Sequence, residues 1–225
     1  MSAHSPEDLQ RIYDARFSDN LEYRSKVWLI LVGDWFSQYV QPTDSVLDLG
    51  CGYGEFINTV QCAKKAAMDL NPDVPRHLGK DVRFFRQDCS ARWDIEDASL
   101  DAVFTSNFFE HLPDKAALGR TLDEIRRCLR PGGRLIAMGP NIKYLPGEYW
   151  DFWDHYVALT EASLKEALMT RGFEVGVCIA RFLPYTMASG PRYPLIFLRA
   201  YLKLSFAWKL FGKQFLVVAK KPAGK

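Results

Sequence analysis

Between Val46 and Phe56 the chain reads Val-Leu-Asp-Leu-Gly-Cys-Gly-Tyr-Gly-Glu-Phe, and this run limits what the rest can become. Ser45 to Leu49 is short and apolar, with the turn formers Pro42 and Asp44 ahead of it, so it reads as a buried strand. Glycines then occupy alternate positions, Gly50, Gly52 and Gly54. Phe56, Ile57 and Val60 follow at helical spacing. Strand, glycine turn, helix is how a parallel α/β sheet presents backbone N–H groups to a ligand at a strand's carboxyl end. Alone, such a turn is equally a tight bend needing positive φ.

The spacing narrows the ligand. A dinucleotide fingerprint, G-x-G-x-x-G, demands glycine at position 55, which is Glu55. The pattern here is D-x-G-x-G-x-G, led by Asp48. A carboxylate there repels a pyrophosphate and suits an ammonium group. A second acid, Asp69, ends the next apolar run, Ala66-Ala67-Met68, where it can accept hydrogen bonds from ribose hydroxyls. The site therefore suits a ribose and a cationic amino-acid end.

These residues resemble the S-adenosylmethionine site of class I methyltransferases. Two later stretches resemble the same family in the right order: Asn107-Phe108-Phe109-Glu110-His111-Leu112-Pro113-Asp114, and Leu129-Arg130-Pro131-Gly132-Gly133-Arg134-Leu135. The resemblance spans about residues 40 to 220. It implies an α/β, Rossmann-like sheet of seven mostly parallel strands, order 3-2-1-4-5-7-6, with strand 7 antiparallel and helices on both faces. It implies S-adenosyl-L-methionine as cofactor and S-adenosyl-L-homocysteine as product. It assigns cofactor contacts to Asp48, Gly50, Cys51, Gly52, Gly54, Asp69, Leu70, Asp88, Cys89 and Asn107. Asp88 would meet the adenine amino group and Cys89 would offer a backbone N–H to the ring. The plainer reading of Asp88 is a turn cap.

With 225 residues the chain is read as one methyltransferase domain, 1–225, with a helical cap over 1–40 and an apolar insertion over 182–212. The net charge of +2 is too slight to argue for nucleic acid. The five cysteines form no C-x-x-C pair, which fits reduced thiols in a cytoplasm better than disulfides or zinc. Residues 1–8 are polar and acidic, unlike a signal peptide, and no uncharged run approaches the ~18 apolar residues of a membrane span. The expected location is cytoplasmic, at the membrane surface if the insertion docks there.

Ser5-Pro6-Glu7-Asp8 caps a first helix with Leu9, Ile12, Tyr13 and Phe17 on one side. A second helix is expected from Leu21 to Val40. In the family resembled, such a segment covers the cofactor, so Tyr13, Arg24 and Trp28 are either contacts or ordinary packing with a solvated arginine. Further strands are expected at Lys65–Leu70, Arg83–Arg86, Leu100–Ser106, Arg134–Gly139, Phe173–Ala180 and Gln214–Ala219. Helices are expected at Lys115–Arg130, stopped by a Pro131-Gly132-Gly133 turn, and at Glu161–Arg171.

About thirty residues separate the last two strands where a hairpin needs far fewer. Tyr193 to Phe211 reads as one apolar helix, with Arg199, Lys203, Ser205, Lys209 and Lys213 inside an arc of about 160°. Three readings stay open: packing on the domain or in a homodimer, contact with a membrane surface, and a wall of the acceptor site.

Methyl transfer from a sulfonium is an in-line displacement that gains from alignment and a dry site. Seven rings crowd residues 144–156, and Tyr149, Trp150, Trp153 and Tyr156 are read as the acceptor-binding surface. A hydroxyl acceptor benefits from a general base. His4 and His77 read as solvated, so His155 and His111 are the catalytic candidates, with His155 ranked slightly first. Glu110, His111 and His155 partly resemble a metal set of methyltransferases acting on terminal RNA ribose. Asn107 stands where that set needs an acid, so no metal is expected. The reading is transfer to a hydroxyl of a sugar, a glycan precursor (lipid-linked or free) or another small polar metabolite. The alternatives are transfer to an amine nitrogen, or a non-catalytic domain that binds cofactor or partner; nucleic acid is not an expected partner.

Overall fold

The computed structural model describes residues 11, 21–185 and 193–224. The helix expected from Ser5, with Tyr13, lies outside them. Seven strands form one sheet in the order β3-β2-β1-β4-β5-β7-β6, as expected. They are β1 (Ser45–Leu49), β2 (Lys64–Met68), β3 (Val82–Phe85), β4 (Leu100–Ser106), β5 (Leu129–Pro140), β6 (Glu174–Ile179) and β7 (Gln214–Lys220). Only β7 runs against its neighbours. The sheet reverses direction of growth between β1 and β4, the switch point at whose carboxyl ends open α/β sheets bind ligands.

Both sheet faces are covered, and strand alternation splits the core in two. Val103 of β4 joins one cluster with Leu118, Leu122, Leu164 and Phe215. Its neighbours Ala102 and Phe104 join the other, with Trp28, Phe36 and Phe56. Each Val, Leu or Phe among them contributes about 1.5–3 kcal/mol when fully buried. Every residue of β1 is buried, including Asp48, an exception that packing alone does not explain.

The helices are α1 (Leu21–Asp34), α2 (Glu55–Thr59), α3 (Lys115–Cys128), α4 (Glu161–Thr170), α5 (Leu195–Lys203) and α6 (Ser205–Phe211). Asp114 caps α3 through the Ala117 N–H, and a Thr160–Ser163 capping box starts α4. Three expectations are corrected. The helix read to Val40 ends at Asp34 and passes into a 3-10 turn, Phe36–Tyr39. The turn at Pro131-Gly132-Gly133 does not precede β5 but lies inside it, as a register shift against β4 held by Gly132 N–H to Lys221 O at 2.8 Å.

The single helix read over 193–211 is two, broken at Leu204 (φ −110°, ψ 81°). Leu202 and Trp208 are both buried, yet on one continuous helix residues six apart point about 120° away from each other. The break lets both face the domain, where Trp208 meets Trp35 and Phe182 edge-on at 5.0 and 5.3 Å. The Trp208 indole N–H donates to Tyr201 O at 2.8 Å across the bend.

The insertion leaves β6 and re-enters β7 at the carboxyl edge of the parallel strands, since Ile179 pairs with Leu216 and Pro140 with Gln214. Among the described residues no helix is long and apolar enough to cross a membrane.

Candidate active site

The glycine turn is built against two strands. Gly50 and Cys51 N–H donate to Met68 O at 2.9 and 3.3 Å. Gly50, Gly52 and Gly54 all have positive φ, and a Cβ on Gly50 would fall 2.2 Å from the Phe108 ring. That ring belongs to the segment after β4, so only glycine lets the two segments close on each other.

Asp69, one residue past β2, accepts from Gly52 N–H at 3.0 Å and from Asn71 N–H at 2.9 Å. It is fixed toward the turn, and half-buried Leu70 follows it. Burial raises its carboxyl above the ordinary range, against the pull of those N–H groups. Asp48 is pushed well above its ordinary value, first by burial and then by the charge of Glu55. Its Oδ2 is buried with no hydrogen-bond partner among the described residues, and so is Oδ1 of Asn107. Asn107 sits at φ +49°, its N–H on Met138 O at 2.9 Å. Asn is among the few non-glycine residues that readily adopt that region. Two orphaned buried acceptors at the carboxyl ends of the neighbouring strands β1 and β4 suit a ligand that brings a cation or a hydrogen-bond donor.

Asp88 lies three residues past β3 and accepts from Ser90 N–H and Oγ at 2.9 and 2.8 Å, so it does close a turn. Cys89 is buried, and its carbonyl takes the Trp93 indole N–H at 2.9 Å. Burial pushes its thiol up to about 12, which makes it an inert thiol at neutral pH.

Two of the N-terminal expectations resolve into packing. Trp28 is buried between Phe36, Phe56 and Phe104. Arg24 is not a solvated arginine: it pairs with Glu55 at 2.6 Å and so clamps α1 to the start of α2. His77 is exposed, as read, but one ring face lies on Tyr53 of the glycine turn, centroids 4.1 Å apart.

On the acceptor side the two candidate histidines come together, ring centroids 4.9 Å apart. Tyr156 and Val157 N–H both donate to Glu110 O, at 2.8 and 3.1 Å, and stitch the aromatic segment to the turn after β4. Nδ1 of His155 bonds Tyr149 O at 2.7 Å. Nδ1 of His111 faces Asp154 O at 2.9 Å and the Asp154 carboxylate at 3.2 Å. A carbonyl can only accept, so each Nδ1 carries the proton and each neutral ring keeps its lone pair on Nε2. Ligand-capable atoms of Glu110, His111 and His155 lie within 4.8 Å of one another. Sequence reasoning missed Asp154 as the partner of His111, because only the fold of 144–156 brings them together.

Trp150, Trp153 and Tyr156 are exposed, Trp153 by 84%. Tyr149 is not a surface: it is fully buried, its hydroxyl donates to Val157 O, and its ring packs on His155 at 4.8 Å. Its expected contact with an acceptor is replaced by support of the imidazole.

The described geometry agrees with comparisons to known proteins. A family model described as "Methyltransferase domain" matches residues 6–176. A probable S-adenosylmethionine-dependent methyltransferase of Mycolicibacterium smegmatis is 33% identical over 136 residues, 58% of this chain and 52% of that protein. A ubiquinone biosynthesis O-methyltransferase of Xylella fastidiosa is 31% identical over 113 residues, 46% of this chain and 45% of that protein. The chain thus spans about half the length of these curated relatives. The fold matches that of an S-adenosylmethionine-dependent methyltransferase from Archaeoglobus fulgidus, with a TM-score of 0.67 at 20% identity, covering 91% of this chain and 99% of that one. With the family model covering most of the chain, the chain belongs to the S-adenosylmethionine-dependent methyltransferase domain family.

Proposed function

We propose that this chain transfers the methyl group of S-adenosylmethionine to a hydroxyl of a sugar, a glycan precursor or another small polar metabolite. Asp48 and Asn107 would receive the amino-acid end of the cofactor, Gly50 to Gly54 its backbone contacts, and Asp69 its ribose. Asp88 and Cys89 would border the adenine. The cofactor supplies an electrophilic methyl on a sulfonium; the chain's own task is to align the acceptor and take its proton.

The observation that carries the hydroxyl reading is the imidazole pair, each ring locked with Nε2 as its basic atom. A neutral amine is nucleophilic without such a base and can lose its proton after the bond forms, whereas an alcohol is a weak nucleophile that must lose its proton as the bond forms. His111 is the better base of the two, because a carboxylate backs its Nδ1 and it is less buried than His155. This reverses the ranking drawn from the sequence. The word O-methyltransferase in one relative's name supports the oxygen acceptor. Trp150, Trp153 and Tyr156 offer flat, exposed surfaces to an acceptor. The same reading expects a cytoplasmic protein.

The test begins with calorimetric titration by S-adenosylhomocysteine, with adenosine and NAD as controls. Selective micromolar-range binding is expected. Asp69→Ala should weaken it by roughly 1–3 kcal/mol, the scale for leaving polar groups unmatched. An acceptor screen, sugars first, then follows release of S-adenosylhomocysteine. Binding without turnover on any hydroxyl pool, and turnover on amines alone, would each sink the hydroxyl reading.

A further inference from the structure

We infer that the outer face of α5 and α6 docks this protein on an anionic lipid surface and holds the acceptor side of the site against it. Among the described residues, seven of the thirteen exposed large hydrophobic side chains fall between 193 and 211. Ile196, Phe197, Phe206, Leu210 and Phe211 are each between 62% and 66% exposed. Packing on the domain does not use them: Leu202, Ala207 and Trp208 face inward instead. A patch of this kind on a soluble domain marks an interaction site.

Charge selects the occupant. Residues 193–213 contain no Asp or Glu, and they carry Arg199, Lys203, Lys209 and Lys213. Arg199 pairs with Asp34 and Lys213 with Glu148, at 3.3 and 2.7 Å. Lys203 and Lys209 are exposed, with no ion pair among the described residues. A second copy would bring the same two cations to the same interface, since a two-fold contact meets itself. Anionic headgroups complement them, while the phenylalanines and leucine enter the acyl boundary. Helices of nine and seven residues cannot span a bilayer, so the pair lies in its plane.

Position ties this face to the site. The insertion starts and ends at the carboxyl edge of the sheet, the edge that carries the glycine turn and the imidazole pair. Lys213, two residues past α6, bonds Glu148 in the 3-10 turn that carries exposed Trp150, and Trp153 follows. Indoles favour the boundary between headgroups and water. The acceptor class that fits is an amphiphile whose hydroxylated head reaches His111 while its apolar tail stays in the bilayer. That last clause rests on the methyltransferase reading; the docking does not.

The experiment is sedimentation of the full chain with vesicles of phosphatidylcholine alone, or of equal parts phosphatidylcholine and phosphatidylglycerol. S-adenosylhomocysteine affinity is measured on the same samples. Binding to the anionic vesicles, reduced by salt, is expected. Phe197→Asp combined with Leu210→Asp should lower it at least tenfold with S-adenosylhomocysteine affinity unchanged, which shows the fold intact. Lys203→Glu with Lys209→Glu should erase the preference for anionic vesicles. No vesicle binding by a protein that still binds S-adenosylhomocysteine overturns the inference. So does a stable dimer in light scattering that Leu210→Asp dissociates. Vesicle binding without S-adenosylhomocysteine binding supports the docking and counts against the methyltransferase reading alone.

Discussion

Asp154 holds Nδ1 of His111 twice, with its carbonyl oxygen at 2.9 Å and its carboxylate at 3.2 Å. Burial works against a charged imidazole here, but the Asp154 hydrogen bond and the charges of Glu110 and Asp154 outweigh it and raise His111 above its ordinary value. A general base acts in its neutral form. Turnover should therefore be low at acid pH and climb to a plateau through a midpoint above ~6.5. Asp154→Asn removes the charge that raises the pKa, so the midpoint should move down and the plateau fall. A pH–rate profile of both proteins checks this; a midpoint unchanged in the variant would falsify the pairing.

The two imidazoles can be told apart. His111→Ala should cost about 10²–10⁴ in kcat, the range for a general base, with cofactor affinity kept. His155, stacked on Phe152 at 4.8 Å and bonded to Tyr149 O, supports its neighbour, and its alanine variant should lose less. Dialysis against a chelator should leave wild-type turnover unchanged. A loss restored by added divalent cation would instead make Glu110, His111 and His155 a metal set.

Asp48→Asn should affect stability and binding in opposite directions. A buried carboxyl whose folded pKa lies above its unfolded value disfavours folding at every pH above the unfolded pKa, and the cost vanishes as it protonates in acid. The amide removes that cost, so Tm at pH 7 should rise, by about 2–4 °C for each ~1 kcal/mol in a chain of this size. On the proposed reading, in which Asp48 meets the ammonium group, S-adenosylhomocysteine should bind roughly ten-fold or more weakly once that charge is gone. Thermal melts with and without ligand measure both.

Gly50→Ala and Gly132→Ala separate backbone strain from crowding. Both glycines have positive φ, +66° and +80°. Nothing lies within 4 Å of a Cβ on Gly132, so alanine there should cost about 1–2 kcal/mol from the left-handed backbone alone. At Gly50 the Phe108 ring adds overpacking, about 1–3 kcal/mol more, and cofactor binding should fail. Denaturant titration of the two variants gives the difference.

The sheet order was legible because local signals (a glycine turn, two acids at strand tips and two later motifs in sequence) resemble a family, and that resemblance implies the order. The residues proposed for the cofactor side lie in those same short stretches, so candidates for it could be named from the chain alone. The acceptor side is not local. His111 and His155 are forty-four residues apart, and only the fold of 144–156 over Glu110 brings their rings to 4.9 Å. Tyr149 looked like its aromatic neighbours in sequence; the carbonyl of Val157 and the ring of His155 turned it inward. The bend at Leu204 was hidden for a related reason. Helical periodicity scores a stretch as if one axis ran through it, whereas Leu202 and Trp208 must satisfy one common core.

The family match ends at residue 176, just before the connector that leaves β6 and returns to β7. Four anchors fix its two ends: Asn141 N–H to Lys213 O, Phe182 N–H to Gln214 O, and Lys213 and Gln214 N–H to Leu183 O. These four are backbone bonds, and side chains reinforce them: Arg181 donates to Gly212 O and Leu210 O, and Gln214 to Pro184 O. The edge of the sheet is thus a socket. The connector is held at both ends by the sheet and along its inner side by Leu202 and Trp208, so a change to its exposed outer face should leave the strand pairing at that edge in place.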